Sequence, residues 1–338
     1  MHDSDGGAMV DCPSGGCDPE CRDDTDCQPG TVCEPSSRTC VIGSHCGAQE
    51  IAVTPVEHNL VVVLDRSCSM KGQSGAKTKW EVAVGALTTV TTAFEGKTRF
   101  GLELFPDTTG DHCGQDGLAI AVGPNREGEI RALLAASLDP AGANYPDGPC
   151  VTNIDSAMRA AADDPALSDP GHPGHALLIT DGNQFGCDLA GGDVGTKQIL
   201  TELRLRGVTT FVVGFGGKVD PAQLNLFAVA GGAARTDPVT RYYQAEDEAG
   251  LNAALQTIGA KTLGCAYSLA QTPPDPARLF VFFNNTQQVV RDSSHQSGWD
   301  YSASGNQVRF YGGACDQLRQ SLVSDLDIVF GCPEATPN

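Results

Sequence analysis

Three short β-prone stretches constrain this chain most: the continuous apolar run Leu60-Val-Val-Val-Leu64, then Ala176-Leu-Leu-Ile-Thr180 and the stretch from Val208 to Val213. An uninterrupted run of this length reads as a strand buried on both faces, which requires cover above and below. Helical patterns supply that cover. Trp80, Val84, Leu87, Val90 and Phe94 recur at spacings of three and four, the mark of an amphipathic helix. Further helices are expected over 127–138, 154–162, 197–205, 221–230 and 246–258, the fourth opening on Asp220-Pro221. Additional strands are expected at 99–105 and 118–122, with a short edge strand at Tyr242-Tyr243. Alternating strands and helices predict an α/β fold, a doubly wound and mostly parallel sheet with helices on both faces.

The flanks have a different texture. Residues 1–46 are rich in Gly, Asp and Pro and carry Cys12, Cys17, Cys21, Cys27, Cys33, Cys40 and Cys46. Such a stretch cannot bury a core, so only cross-links can order it. Its pattern from Cys21 through Cys27 and Cys33 to Cys40 resembles small disulfide modules of extracellular proteins. The central domain is placed at 58–260. A small β-rich C-terminal unit is placed at 262–338, with strands at 279–283, 307–311 and 326–330. Turns are expected at Asn284-Asn285, at 304–306 and at Gly312-Gly313.

The chain has 14 cysteines, an even number. Cys68, Cys113, Cys150 and Cys187 lie in the central domain and Cys265, Cys315 and Cys332 in the C-terminal unit. No zinc-knuckle spacing occurs, so the set reads as a disulfide framework in an oxidising compartment. That predicts an extracellular, periplasmic or cell-surface location, although Met1-His2-Asp3-Ser4-Asp5 is not a signal peptide and no export signal stands in the sequence. The formal charge of -20 disfavours nucleic acid and anionic lipid as partners. No run is long enough to span a bilayer, so no direct membrane insertion is expected.

In open α/β sheets ligands bind beyond the carboxyl ends of the strands. The first apolar run ends there in Asp65-Arg66-Ser67-Cys68-Ser69, one carboxylate and two hydroxyls at alternate positions. The second ends in Thr180-Asp181-Gly182, on the same rim. Between them Thr152 stands just before a helix, where a hydroxyl can cap or coordinate. Hard oxygens of this kind suit Mg²⁺, Mn²⁺ or Ca²⁺ rather than zinc.

The D-x-S-x-S loop, the later Thr before a helix and the T-D-G at a strand end together resemble the metal-ion-dependent adhesion site of von Willebrand factor type A domains. Val213-Gly-Phe-Gly-Gly217, the stretch from Leu224 to Gly232, Tyr242-Tyr243 and the stretch from Leu251 to Ile258 resemble further parts of that family, so the likeness covers about residues 58–260. The resemblance implies a Rossmann-like fold and a metal set of Asp65, Ser67, Ser69, Thr152 and Asp181. In that set Ser67, Ser69 and Thr152 offer hydroxyl oxygens, and Asp65 and Asp181 act directly or through water. The implied cofactor is a divalent cation, Mg²⁺ first, with Mn²⁺ or Ca²⁺ as alternatives. The implied partner is a protein presenting a carboxylate to the cation, whose charge inverts the local electrostatics.

The four central cysteines should lie near this face and form two bridges. Cys68 to Cys187 and Cys113 to Cys150 is one of the pairings open to them, since sequence does not settle connectivity. Odd counts in the two flanks imply a tie between them, with Cys46 bound to Cys265, Cys315 or Cys332. His172 and His175 form an H-x-x-H, but Pro173-Gly174 between them favours a plain loop. Asp18, Asp23, Asp24 and Asp26 read as a solvated acidic face. No phosphate loop, nucleophile elbow or H-E-x-x-H occurs, so no enzymatic activity is expected. The sequence predicts a metal-dependent binding or adhesion module. The alternative is a structural cell-envelope protein in which the cation only stabilises the domain.

Overall fold

The computed structural model describes residues 49–331 except 109, 111 and 147–149, together with Arg22, Arg38 and the backbone of Thr31–Cys33 and Cys40–Ile42. Cys12, Cys17, Cys21, Cys27, Cys46 and Cys332 lie outside the described residues, as do Asp18, Asp23, Asp24, Asp26 and the expected tie through Cys46. The chain forms two compact units, one over Pro55–Ala266 and one from the segments on either side of it.

In the larger unit the apolar runs become strands. In chain order its elements are β1 (His58–Asp65), α1 (Lys79–Ala93), β2 (Thr98–Phe105), α2 (Glu127–Ala136), α3 (Ile154–Ala162), β3 (Gly174–Thr180), α4 (Gly192–Leu205), β4 (Thr209–Phe215), α5 (Pro221–Ala230), β5 (Tyr243–Ala245) and α6 (Glu248–Thr262). The five strands make one parallel sheet in the order β5-β4-β3-β1-β2. The order turns back between β1 and β3, so their carboxyl ends flank the crevice where such sheets bind ligands.

Side chains alternate across a strand, and β1 shows what that does here. Leu60, Val62 and Leu64 join a core with Trp80 and Leu87 of α1, Ile130 and Leu134 of α2, and Leu251 and Leu255 of α6. Val61 and Val63 point the other way, to Met158 of α3, Leu200 of α4 and Phe227 of α5. Both faces of β1 are therefore apolar, which is why its sequence shows no alternation. Local signals start the helices. Thr78 and Glu81 form a reciprocal capping box on α1, and Asp220 caps α5 ahead of Pro221.

The expected strand at 118–122 is reduced to one antiparallel bridge between Leu102 and Ile120. Leu102 N donates to Ile120 O at 2.8 Å and Ile120 N to Leu102 O at 3.0 Å, and beyond them only a single bond follows, from Gly123 N to Phe100 O at 3.2 Å. Gly117 has a left-handed φ of 109° and Pro124 lacks an N–H, so the chain is turned away on both sides of the bridge.

The smaller unit contains two four-stranded sheets. One orders Gly298–Ser302, Gln307–Tyr311, Ala266–Leu269 and Val53–Pro55; the other orders Gln287–Val289, Leu279–Phe283, Leu326–Phe330 and Gln49–Glu50. Strands from before the central unit thus complete sheets made by the segment after it. Asn284 and Asn285 take left-handed φ values of 51° and 62° in the expected turn. Gly312 does end its strand with a φ of 52°, but a helix, Gly312–Arg319, follows at once instead of a simple turn. That helix buries only Ala314 and Cys315, too few to leave an apolar stripe in the sequence.

Candidate functional site

The three loops expected to converge do so. Asp65, wholly buried at the end of β1, accepts from Ser67 N through Oδ1 at 2.8 Å and from the Thr180 hydroxyl through Oδ2 at 2.7 Å. One carboxylate therefore shapes its own loop and ties β1 to β3. Burial, and then the charge of Asp181, push the Asp65 carboxyl up to about 7. Ser67 Oγ and Ser69 Oγ lie 2.9 Å apart, and Ser69 Oγ donates to Asp181 Oδ1 at 2.6 Å.

Thr152 reaches the same place without acting as a helix cap. Asn153 is the capping residue of α3 and makes no side-chain cap. Thr152 instead forms a two-way backbone bridge with Phe185, at 2.9 and 3.0 Å. No described residue hydrogen-bonds its hydroxyl. Ser67, Ser69, Thr152 and Gly182 line one open cavity of about 280 Å³, with Phe185 and Lys218 also on its walls. Larger clefts, of about 510 and 440 Å³, lie elsewhere. This smaller one is set apart by its converging hydroxyls and the buried carboxylates behind them.

One cation was not foreseen. Lys79, the first residue of α1 and 8% exposed, donates from Nζ to Asp181 Oδ2 at 2.6 Å. It reaches Asp181 past Gly216, whose φ is 85°; a Cβ there would stand 3.0 Å from Lys79 Cε. Lys79 is not among the residues lining the cavity. The ammonium therefore neutralises one oxygen of Asp181, while the other accepts from Ser69 on the cavity wall.

The donor set fits a hard divalent cation. Three hydroxyls line one cavity, with Asp181 hydrogen-bonded to Ser69 and Asp65 shaping the same loop, and hard oxygens of this kind with added waters suit the roughly six-oxygen shell such an ion takes. Among the described residues no group of three or more His, Cys, Asp or Glu side chains is placed to hold a metal. His172 and His175 sit at the amino end of β3, away from this rim. His172 Nδ1 contacts Glu57 O at 2.9 Å and His175 Nε2 contacts His58 Nδ1 at 3.0 Å.

Two disulfides brace the rim, but not in the pairing considered from sequence. Cys68 joins Cys150, with Cα atoms 4.8 Å apart, and Cys113 joins Cys187, at 5.4 Å. The reason lies in Thr152. Its place over the serine loop brings Cys150 beside Cys68, while Cys187 follows the Phe185 bridge toward Cys113. Cys265 and Cys315 are also disulfide-bonded.

Asp155 supplies a second support. It is buried and accepts from Gln184 Nε2 at 2.8 Å, Ala190 N at 2.8 Å and Gly192 N at 2.9 Å. It thereby pins the loop after Asp181 to the start of α3. Sequence reasoning missed the roles of Lys79, Asp155, Gln184, Phe185 and Lys218. Only Lys79 left a local trace, as a charged residue directly before the buried Trp80 at the start of a helix.

A family model for the von Willebrand factor type A domain matches residues 59–257. No curated protein matches the sequence. Several solved structures are similar in fold. The protein BatB of Bacteroides thetaiotaomicron is 16% identical with a TM-score of 0.43, covering 60% of this chain and 97% of its own. The manganese-loaded TRAP protein of Plasmodium vivax is 14% identical with a TM-score of 0.46, covering 70% and 87%. Proximal thread matrix protein 1 of the mussel byssus, with a zinc-occupied metal-site motif, is 14% identical with a TM-score of 0.44. The matched region covers 64% of this chain and half of that one.

Proposed function

Since this chain belongs to the von Willebrand factor type A family, we propose that it is a metal-dependent protein-binding module whose site is Asp65, Ser67, Ser69, Thr152 and Asp181. The carrying observation is the convergence of Ser67, Ser69 and Thr152 on one open cavity backed by two buried carboxylates. A bound divalent cation, Mg²⁺ in the first instance, supplies a positive centre to which an acidic side chain of a partner protein can be drawn. The chain's own residues prepare that centre. Asp65 holds the serine loop in shape, Thr180 locks Asp65, and the Phe185 bridge fixes the height of Thr152.

Two disulfides and the Lys79–Asp181 pair hold the rim together through protein groups alone. This favours a recognition role for the cation over the purely stabilising role of the structural alternative. The Ser69 hydroxyl donates to Asp181, but that carboxylate is already paired with Lys79, and the module is read as non-catalytic. The disulfides support folding in an oxidising compartment, and we assign the module to the extracellular space, the periplasm or the cell surface.

The test is Mn²⁺ binding to the full chain, followed by electron paramagnetic resonance with Mg²⁺ as competitor. Saturable binding at one site is expected, with Asp181→Ala lowering affinity at least a hundredfold. Equal affinity in the wild type and Asp181→Ala rejects the reading.

A further inference from the structure

We infer that this cavity takes a peptide segment in which an acidic side chain stands next to a large apolar or aromatic one. The inference rests on the function proposed above and goes further by naming what lies beside the carboxylate.

Two wall residues carry it. The first is Phe185, whose surface is 66% exposed. An aromatic ring ordinarily gains by collapsing onto its neighbours. Here the backbone denies it that freedom. Phe185 N donates to Thr152 O at 3.0 Å and its carbonyl accepts from Thr152 N at 2.9 Å. The preceding Gln184 exchanges two hydrogen bonds with Asp155, accepting from its N–H at 3.0 Å and donating to its Oδ1 at 2.8 Å. Gly186 follows with a φ of 84°, and Cys187 is then anchored to Cys113. The ring is thus held out on a braced loop on the wall of the cavity that Ser67, Ser69 and Thr152 line. A pre-organised, exposed aromatic beside a polar anchor point is how interfaces concentrate affinity.

The second is Lys218, exposed on the same cavity wall. No described residue pairs with its ammonium, whereas Lys77 and Lys79 are both ion-paired. In a chain of net charge -20 an unpaired cation at the mouth of this cavity complements an incoming anion. The two residues divide the work. Lys218 draws in the carboxylate and engages it, and Phe185 packs on the neighbouring side chain. A free carboxylate such as acetate satisfies only the first, so the complete ligand is a peptide segment.

The experiment compares N-acetyl-Gly-Glu-Phe-amide, N-acetyl-Gly-Glu-Gly-amide and acetate as ligands of the full chain in Mg²⁺, by calorimetry or NMR titration at millimolar ligand. The aromatic peptide is expected to bind about five-fold tighter than the plain one, the size of one aromatic contact. Phe185→Ser should remove that difference, and Lys218→Gln should weaken both peptides about three-fold. Parallel Mn²⁺ titration shows whether each variant keeps its cation site. Equal binding of the two peptides, a ratio unchanged in Phe185→Ser, or no peptide binding at all overturns the inference. An aromatic preference that disappears in Phe185→Ser yet survives chelation upholds it while rejecting the metal-dependent function.

Discussion

Two buried acidic neighbourhoods sit on opposite sides of β1, and they handle their charge differently. On the β3 side, Asp65 and Asp181 are met by hydroxyls, by Lys79 and by an open cavity. On the β2 side, Glu103 is 1% exposed and sealed. With its amide oriented to satisfy both neighbours, Gln115 donates to Glu103 Oε1 at 2.8 Å, while Glu103 Oε2 has no hydrogen-bond partner among the described residues. Arg66 is nearby, but its Nε is engaged with Pro106 O at 2.9 Å and its Nη1 with Asn144 Oδ1 at 2.7 Å. Burial, then Asp107, push the Glu103 carboxyl up to about 8 against the opposing pull of Arg66. The contrast teaches that a buried acid alone does not make a site. The β3 side has several oxygens converging on an open cavity, and the β2 side has one unpartnered oxygen sealed from solvent. Glu103 is read as a neutral structural group.

Breaking the Lys79–Asp181 pair should have the largest effect. Lys79→Met strands a buried carboxylate and should cost about 3 kcal/mol in chelator, read by denaturant unfolding. The same variant removes a competing positive charge, so Mg²⁺ should raise its melting temperature more than it raises that of the wild type. An equal shift in both proteins would show that the lysine and the cation do not share Asp181.

The β2 side gives the next largest effect, through pH. The Glu103 carboxyl is raised from 4.5 to about 8 on folding, so the folded chain holds a proton that the unfolded chain has lost. Stability from this group is full below about pH 4.5 and declines as pH rises toward 8. Glu103→Gln should flatten that decline and gain on the order of 2 kcal/mol above pH 8. Melting curves between pH 5 and about pH 9 check it, and an undiminished slope in the variant assigns the effect elsewhere.

The smallest effect sharpens the comparison. Thr152→Val keeps shape and removes a hydroxyl that no described residue uses. Stability should hardly change, while Mn²⁺ affinity falls about tenfold, equivalent to ~1.4 kcal/mol. Unchanged affinity would take Thr152 out of the cation site.

Much of the larger unit was legible from local pattern. The stretches at 60–64, 176–180 and 208–213, apolar or β-branched throughout, announce strands because both their faces are covered. The signal at Asp220 announces a helix start because capping is a contact between near neighbours, and the Thr78–Glu81 box on α1 is a signal of the same kind that the sequence reading passed over. Asp65, Ser67, Ser69 and Asp181 could be singled out because strand ends mark one rim of a parallel sheet, and Thr152 because it stands just before a helix. The run at 118–122 misled because apolar character does not say how far a pairing extends.

What the sequence determines by itself is the alternation of elements and the residue types on that rim, since periodicity and capping act over a few residues. The tertiary structure alone decides that Cys68 pairs with Cys150, that Lys79 reaches Asp181 past Gly216, and that Phe185 and Lys218 share a cavity wall. Each depends on how loops far apart in the chain cross in space, and no local pattern records a distance between segments that only packing brings together.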